Sequence, residues 1–194
     1  MGDYLSINWR SRGYLPHFDS DVAQQHIVIS LADAVGDDLG PNNSRQRIWA
    51  FDQALDRGEG TCLLADPACA AAVQEALLYH DAERYRLLAW CVMPNHVHVV
   101  VDAVCDVGDT VRRWKTWSAR AINCAANKTG RVWRREYFDR FARDEHHLRT
   151  MIHYVENNPV AAGLVAAPEE WQWSSAGCGG LAGQEPGGPS LGLP

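Results

Sequence analysis

The stretch "WCVMPNHVHVVVD", residues 90–102, restricts the possible folds of this chain more than any other segment. Apolar runs at 84–93 and 96–103 flank Pro94-Asn95, a pattern that predicts two antiparallel strands joined by a tight turn. Successive side chains of a strand point to opposite faces. Val97 and Val99 are therefore expected in a core, while His96 and His98 share the other face, separated by about 6–7 Å along the strand. Two such imidazoles suit a divalent cation, because neutral histidine donates a nitrogen lone pair. A pair of structural histidines satisfies the same pattern, so other segments have to decide.

The rest of the chain reads as strands mixed with helices. "QQHIVISLAD" (24–33) is β-branched and apolar and reads as the first strand. "SRQRIWAFDQALDRGEG" reads as a helix capped by Ser44 or Asn43 and stopped at Gly58, followed by a short strand, "TCLLA". Asp66 and Pro67 then predict the N-cap and first position of an alanine-rich helix to about His80. Helical spacing returns from Gly108 to about Asn127, and "KTGRVWRREYFDRFARD" is mixed. Asp144 caps a last helix to about Asn157, with a turn after Pro159. This order predicts an α+β fold, a sandwich with a mainly antiparallel sheet. Residues 1–176 read as one domain; residues 177–194, with seven Gly and three Pro, are expected to be disordered.

The net charge of −6 conceals an asymmetry. Residues 112–149 hold eleven Lys and Arg against four acids, giving +7, while the remainder carries −13. Trp114, Trp117, Trp133, Tyr137, Phe138 and Phe141 lie among those bases. Cations beside flat rings suit single-stranded nucleic acid, by phosphate neutralisation and base stacking; a solvated helix face over core aromatics reads equally well. Lys115, Arg134, Arg135, Arg140, Arg143, Trp117 and Trp133 are the candidates for such contacts. No apolar run resembles a signal peptide or a membrane span, and the six cysteines form no C-x-x-C pair. A cytoplasmic, nucleoid-associated protein with no membrane partner and no zinc site is expected.

On the helix near residue 150, Leu148, Met151, Ile152 and Val155 define a buried stripe. Tyr154 and Asn158 sit together on its shoulder, and His147 shares it. A tyrosine half committed to a core can turn its hydroxyl to a polar site, and Asn158 offers an amide oxygen one turn later.

"WCVMPNHVHVVVD", "WRREYFDRFARDEHHLRTMIHYVENNPVAAGLV" and "WQWSS", with "RGYLPHFD" and "SLAD" before them, resemble the REP-associated tyrosine transposases of the HUH single-strand transposase superfamily. The likeness runs from about residue 10 to Ser175, although "HIVISLAD" departs from the aromatic-rich first strand usual in such proteins. The resemblance implies a ferredoxin-like HUH fold in two layers, with a helix carrying the nucleophile. It implies Tyr154 as that nucleophile, and His96, His98 and Asn158 as ligands of Mg²⁺ or Mn²⁺. His147 is a possible auxiliary residue. The implied partner is single-stranded or hairpin DNA from repetitive extragenic palindromes, cleaved and rejoined through a 5′-phosphotyrosine, with a monomer favoured. Two other readings remain open: a domesticated hairpin binder without turnover, and a metallohydrolase using water with Asp102 near the metal.

Overall fold

The computed structural model describes residues 8–11, 16–19, 24–34, 51, 53–103 and 106–178. Its elements are β1 (Asn8–Ser11), β2 (Pro16–Asp19), β3 (Gln24–Ser30), α1 (Pro67–Leu78), β4 (Tyr85–Val92), β5 (His96–Ala103), α2 (Val107–Ala125), β6 (Phe138–Phe141) and α3 (Glu145–Ala161). β1 and β2 pair as a small antiparallel ribbon. The main sheet has the order β4-β5-β3-β6, and every pairing in it is antiparallel. The fold is thus α+β, as the mixture of hairpin and helical periods predicts.

The two inner strands explain their own composition. β3 and β5 are the inner strands, and helices cover the sheet on both faces, so their sequences run almost continuously apolar. On one face Ile27, Ile29, Trp90, Val92, Val97, Val99 and Val101 pack with Val73 and Leu77 of α1 and Val111, Trp114 and Ile122 of α2. On the other, Ala89, Cys91 and Val100 meet Met151 and Val155 of α3. A register shift between Leu87 and Ala89 sets β4 against β5. The α3 helix therefore stands on the sheet face opposite α1 and α2.

Helix boundaries follow their caps. Asp66 accepts from Ala68 N at 2.8 Å with Pro67 at the first position, and Asp144 accepts from His147 N at 2.7 Å. The helix expected before Gly58 ends there, Gly58 taking φ of 67°, while its Ser44 or Asn43 cap lies outside the described residues. The Gly/Pro-rich tail beyond Cys178 also lies outside them.

Three expectations are corrected. "TCLLA" is not a strand: Leu63–Ala65 is a 3-10 turn, closed by Ala65 N donating to Cys62 O and tied to the hairpin by Leu64 N donating to Pro94 O. Its carbonyls and amides are used locally before Asp66 starts α1. The mixed segment supplies a fourth strand, β6. The last helix does not stop before Pro159 but runs through it to Ala161. Proline removes one helical N–H and crowds the preceding residue, but both Asn158 and Pro159 are buried against the sheet, and Ala162 N and Leu164 N still close onto Asn158 O and Pro159 O.

After α3 the chain returns along β4. Val92 N donates to Trp173 O, Ser175 N to Trp90 O, and Trp171 Nε1 to Val92 O. "WQWSS" is thus a strap laid along the outer side of β4, and Ser175 Oγ also donates to Glu156 of α3 at 2.9 Å.

Candidate active site

His96 and His98 stand on the α3 face of β5, directly opposite Ser30 and Val28 of β3. Both rings are buried, at 1% and 0% exposure. A buried valine contributes about 1.5–3 kcal/mol, whereas a buried polar group at best recovers about 0.5–1.5 kcal/mol per hydrogen bond after desolvation. Stability alone therefore does not favour two histidines at these positions.

Their nitrogens form a directed chain. His96 Nδ1 lies 2.7 Å from Asn95 Oδ1, and His96 Nε2 lies 2.9 Å from His98 Nε2. His98 Nδ1 lies 3.0 Å from Nε2 of His26, on β3. Asn95 Nδ2 donates to the carbonyls of Leu55 and Glu59, at 3.0 and 3.1 Å, so its Oδ1 is the atom facing His96 and can only accept. His96 Nδ1 must carry the hydrogen. Burial, with the neighbouring histidines, holds His96 well below the usual imidazole range, so the ring is neutral and its Nε2 is bare. His98 Nε2 then donates to it, and His98 Nδ1 accepts from His26 Nε2. Burial and the Arg140 guanidinium push His98 down to about 3; burial, His98 and Arg140 likewise hold His26 neutral.

Tyr154 comes to this face from α3. Its ring centroid is 5.6 Å from that of His98 and 5.8 Å from that of His26, edge-on to both, and the residue is 37% exposed. Asn158, one turn later, is buried, and its Oδ1 has no hydrogen-bond partner among the described residues. An orphaned buried carbonyl oxygen costs about 1–3 kcal/mol and is the atom a cation would satisfy.

The donor set fits a hard to borderline divalent ion. No three His, Cys, Asp or Glu side chains among the described residues converge as a metal cage, so among these residues a cation on the histidine pair would take an oxygen such as that of Asn158 as a further donor. Two imidazole nitrogens with an amide oxygen suit Mn²⁺ and tolerate Mg²⁺. Cys91, paired with His98 between β4 and β5, is buried on this face as a thiol, since desolvation together with Glu156 pushes its titration far up. Asp102 lies four residues beyond His98 and is ion-paired with Arg86 at 3.3 Å.

The basic and aromatic candidates divide. Arg140 pairs with His26 across β6 and β3, is exposed, and acts electrostatically on His26 and His98, so it stands at the site. Arg143 donates from its backbone N to His147 Nδ1 at 3.2 Å, which ties His147 to the start of α3. Arg135 is exposed beside Glu136, and Arg134 lies over the Phe51 ring. Lys115 is turned inward, its ammonium donating to the carbonyls of Arg134, Arg135 and Glu136 at 3.1–3.3 Å. Trp133 is 4% exposed, with Nε1 donating to Ser118 Oγ. Trp114 is also buried, donating to Tyr85 Oη. Trp117 is 57% exposed and stacks on Tyr79, in the helix layer on the far side of the sheet from Tyr154. Sequence reasoning missed His26, an imidazole in an otherwise apolar strand, and took Asn95 only as a turn residue.

Among the described residues no helix is long and apolar enough to cross a membrane. The model of the family described as "Transposase IS200 like" matches residues 70–158. A REP-associated tyrosine transposase of Escherichia coli K12 is 23% identical over 91 residues, 47% of this chain and 54% of that protein. A Haemophilus influenzae protein assigned to the same kind is 23% identical over 103 residues, 47% of this chain and 58% of that one. The chain thus spans little more than half the length of the curated relatives it matches. A solved REP-associated tyrosine transposase bound to a REP hairpin superposes over 90% of this chain and 82% of that one, with 17% identity and a TM-score of 0.47. The segment similar to that family model holds the histidine pair, Tyr154 and Asn158, and the curated relatives that this chain resembles are REP-associated tyrosine transposases.

Proposed function

We propose that this chain cleaves and rejoins single-stranded hairpin DNA through Tyr154, with a divalent cation, Mn²⁺ or Mg²⁺, held by His96, His98 and Asn158. The observation that carries the reading is the placement of a partly exposed Tyr154 ring 5.6 Å from the buried His98 ring, from an element 56 residues later in the chain.

The residues have separate tasks. His96 is neutral with its hydrogen on Nδ1, His98 is neutral and could offer Nε2 to a cation once its hydrogen moves to Nδ1, and Asn158 Oδ1 has no partner among the described residues. A bound cation would polarise a phosphate oxygen and offset charge as it develops. A phenol with a pKa of about 10 is only about one part in a thousand ionised at neutral pH, so Tyr154 Oη attacks as its proton leaves. Its bond to phosphorus forms as the bond to the 3′ oxygen breaks. The products are a 5′-phosphotyrosine and a strand end that takes up a proton as a 3′-OH. Storing the phosphodiester on tyrosine lets another 3′-OH reverse the step without an external energy source. Arg140, beside the histidines, is positioned for the phosphate backbone. Hairpin DNA as the partner rests on the motif resemblance and on the naming of the curated relatives.

The test incubates the protein with labelled hairpin DNA and Mn²⁺ and separates products on denaturing gels. A covalent protein–DNA band is expected, absent with chelator and in Tyr154→Phe. Hairpin binding with no such band under either metal would leave a binding module in its place.

A further inference from the structure

Each proposed ligand histidine has a partner on its rear nitrogen, and the two partners differ in kind. Asn95 faces His96 with an oxygen that only accepts, so that ring has one possible neutral tautomer. His26 faces His98 with an imidazole nitrogen, 3.0 Å away, that can either donate or accept. The rings of His26 and His98 are near-parallel, at 20°, with centroids 5.2 Å apart, and both are fully enclosed. Water therefore does not take the place of His26 at that nitrogen.

The difference has a purpose if His98 is a ligand. Without a cation, His98 Nε2 carries the hydrogen that bridges to His96 Nε2. To offer that lone pair to a cation, the ring must carry its hydrogen on Nδ1 instead, and the group behind Nδ1 must change from donor to acceptor. A fixed donor there would block the change, and an apolar side chain would leave an N–H buried without a partner. Imidazole alone among side chains makes the exchange by shifting a hydrogen between its own nitrogens. We propose that His26 is a positioning residue of the metal site, which holds His98 by its Nδ1 edge and follows its change of tautomer. The inference rests on the metal reading above. His26 is not itself a ligand in this arrangement, since its Nε2 is spent on His98 and no three-histidine cage forms among the described residues.

Mn²⁺ binding to the full chain, read from the resonance of the free ion, tests the inference without any turnover. The wild type and Tyr154→Phe are expected to bind alike. His26→Phe keeps a flat ring but no polar nitrogen, and binding is expected to weaken about 10–100-fold, as when a ligand histidine loses its orienting partner. His26→Gln, whose amide offers both a donor and an acceptor, is expected to recover much of that loss at equal melting temperature. A His26→Phe variant that binds within about twofold of the wild type overturns the inference and leaves the metal site standing. A wild type that takes up no Mn²⁺ overturns both. Imidazole ¹⁵N resonances of the unaltered protein give a second reading: on adding Mg²⁺, His98 and His26 should both move their hydrogen to Nδ1, and a His26 tautomer that stays fixed also sinks the inference.

Discussion

At Asn158 the chain keeps a polar oxygen where an apolar group would pack without cost. That oxygen is buried and lacks a partner among the described residues, so its replacement separates stability from function. Asn158→Leu is expected to hold or raise stability by up to about 1–2 kcal/mol, the cost of an unsatisfied polar atom, while Mn²⁺ affinity falls by about tenfold or more. Thermal melting and metal titration of the same sample check both; a large loss of stability would mean that the amide serves the helix instead. Tyr154, at 37% exposure, behaves differently. Removing its hydroxyl is expected to abolish the covalent product and to change stability by less than about 0.5 kcal/mol. That His96 shares a face with His98, and Tyr154 with Asn158, was legible in the sequence from period-2 and period-3.6 spacing, while the roles proposed for them came from the motif resemblance. His26 was not, since one strand cannot state which residue lies across from it. The three-dimensional register, Val28 against His98 and His26 against Val100, is what brings the third imidazole to the pair.

Among the elements, the segment from Arg131 to Phe141 shows how a basic run divides. A period count cannot say which lysine turns inward. Lys115 reaches from α2 to three successive carbonyls, and burial pulls its ammonium down to about 8, still mostly charged at neutral pH. It holds the approach to β6, and β6 in turn sets Arg140 beside His26. Lys115→Met is therefore expected to destabilise the fold by about 2 kcal/mol, on the scale of hydrogen bonds to a charged group, as read by denaturant unfolding. Unchanged stability with weaker hairpin binding would return Lys115 to the phosphate contacts suggested by composition. Trp133 follows the same logic: in a segment of exposed arginines its ring was a candidate for stacking, but its indole N–H closes on Ser118 within the core. Helix starts at Asp66 and Asp144 were readable because a cap is local chemistry. The 3-10 turn at Leu63 was not, because its geometry depends on Pro94, far along the chain.

For the whole molecule, three enclosed neutral histidines make stability depend on acidity. His26, His96 and His98 are all held below the ordinary histidine value of about 6.5 by burial first. As pH falls through that value, the unfolded chain takes up protons that the folded chain refuses, so the unfolded state gains and stability declines. Each histidine contributes a slope of up to about 1.4 kcal/mol per pH unit below that point. Unfolding free energies measured at pH 7.5 and pH 5.5 should differ clearly, and His26→Phe should lessen the difference by about one proton's share. Equal stabilities at the two pH values would show that the cluster protonates while folded.

The strap formed by "WQWSS" has a consequence of another kind. A sheet margin with bare N–H and C=O groups is a template on which a second chain can add a strand, the usual start of aggregation. Here Trp173 and Ser175 occupy the bonds that Trp90 and Val92 would otherwise offer, and Cys91 bridges to Ser174. The chain thus closes the β4 margin of its own sheet. Because Ser175 also bonds Glu156, two residues from Tyr154, the same closure braces the helix that carries Tyr154. Loosening the strap would make the protein sticky and misalign its tyrosine in one step, so self-association and loss of cleavage should arrive together.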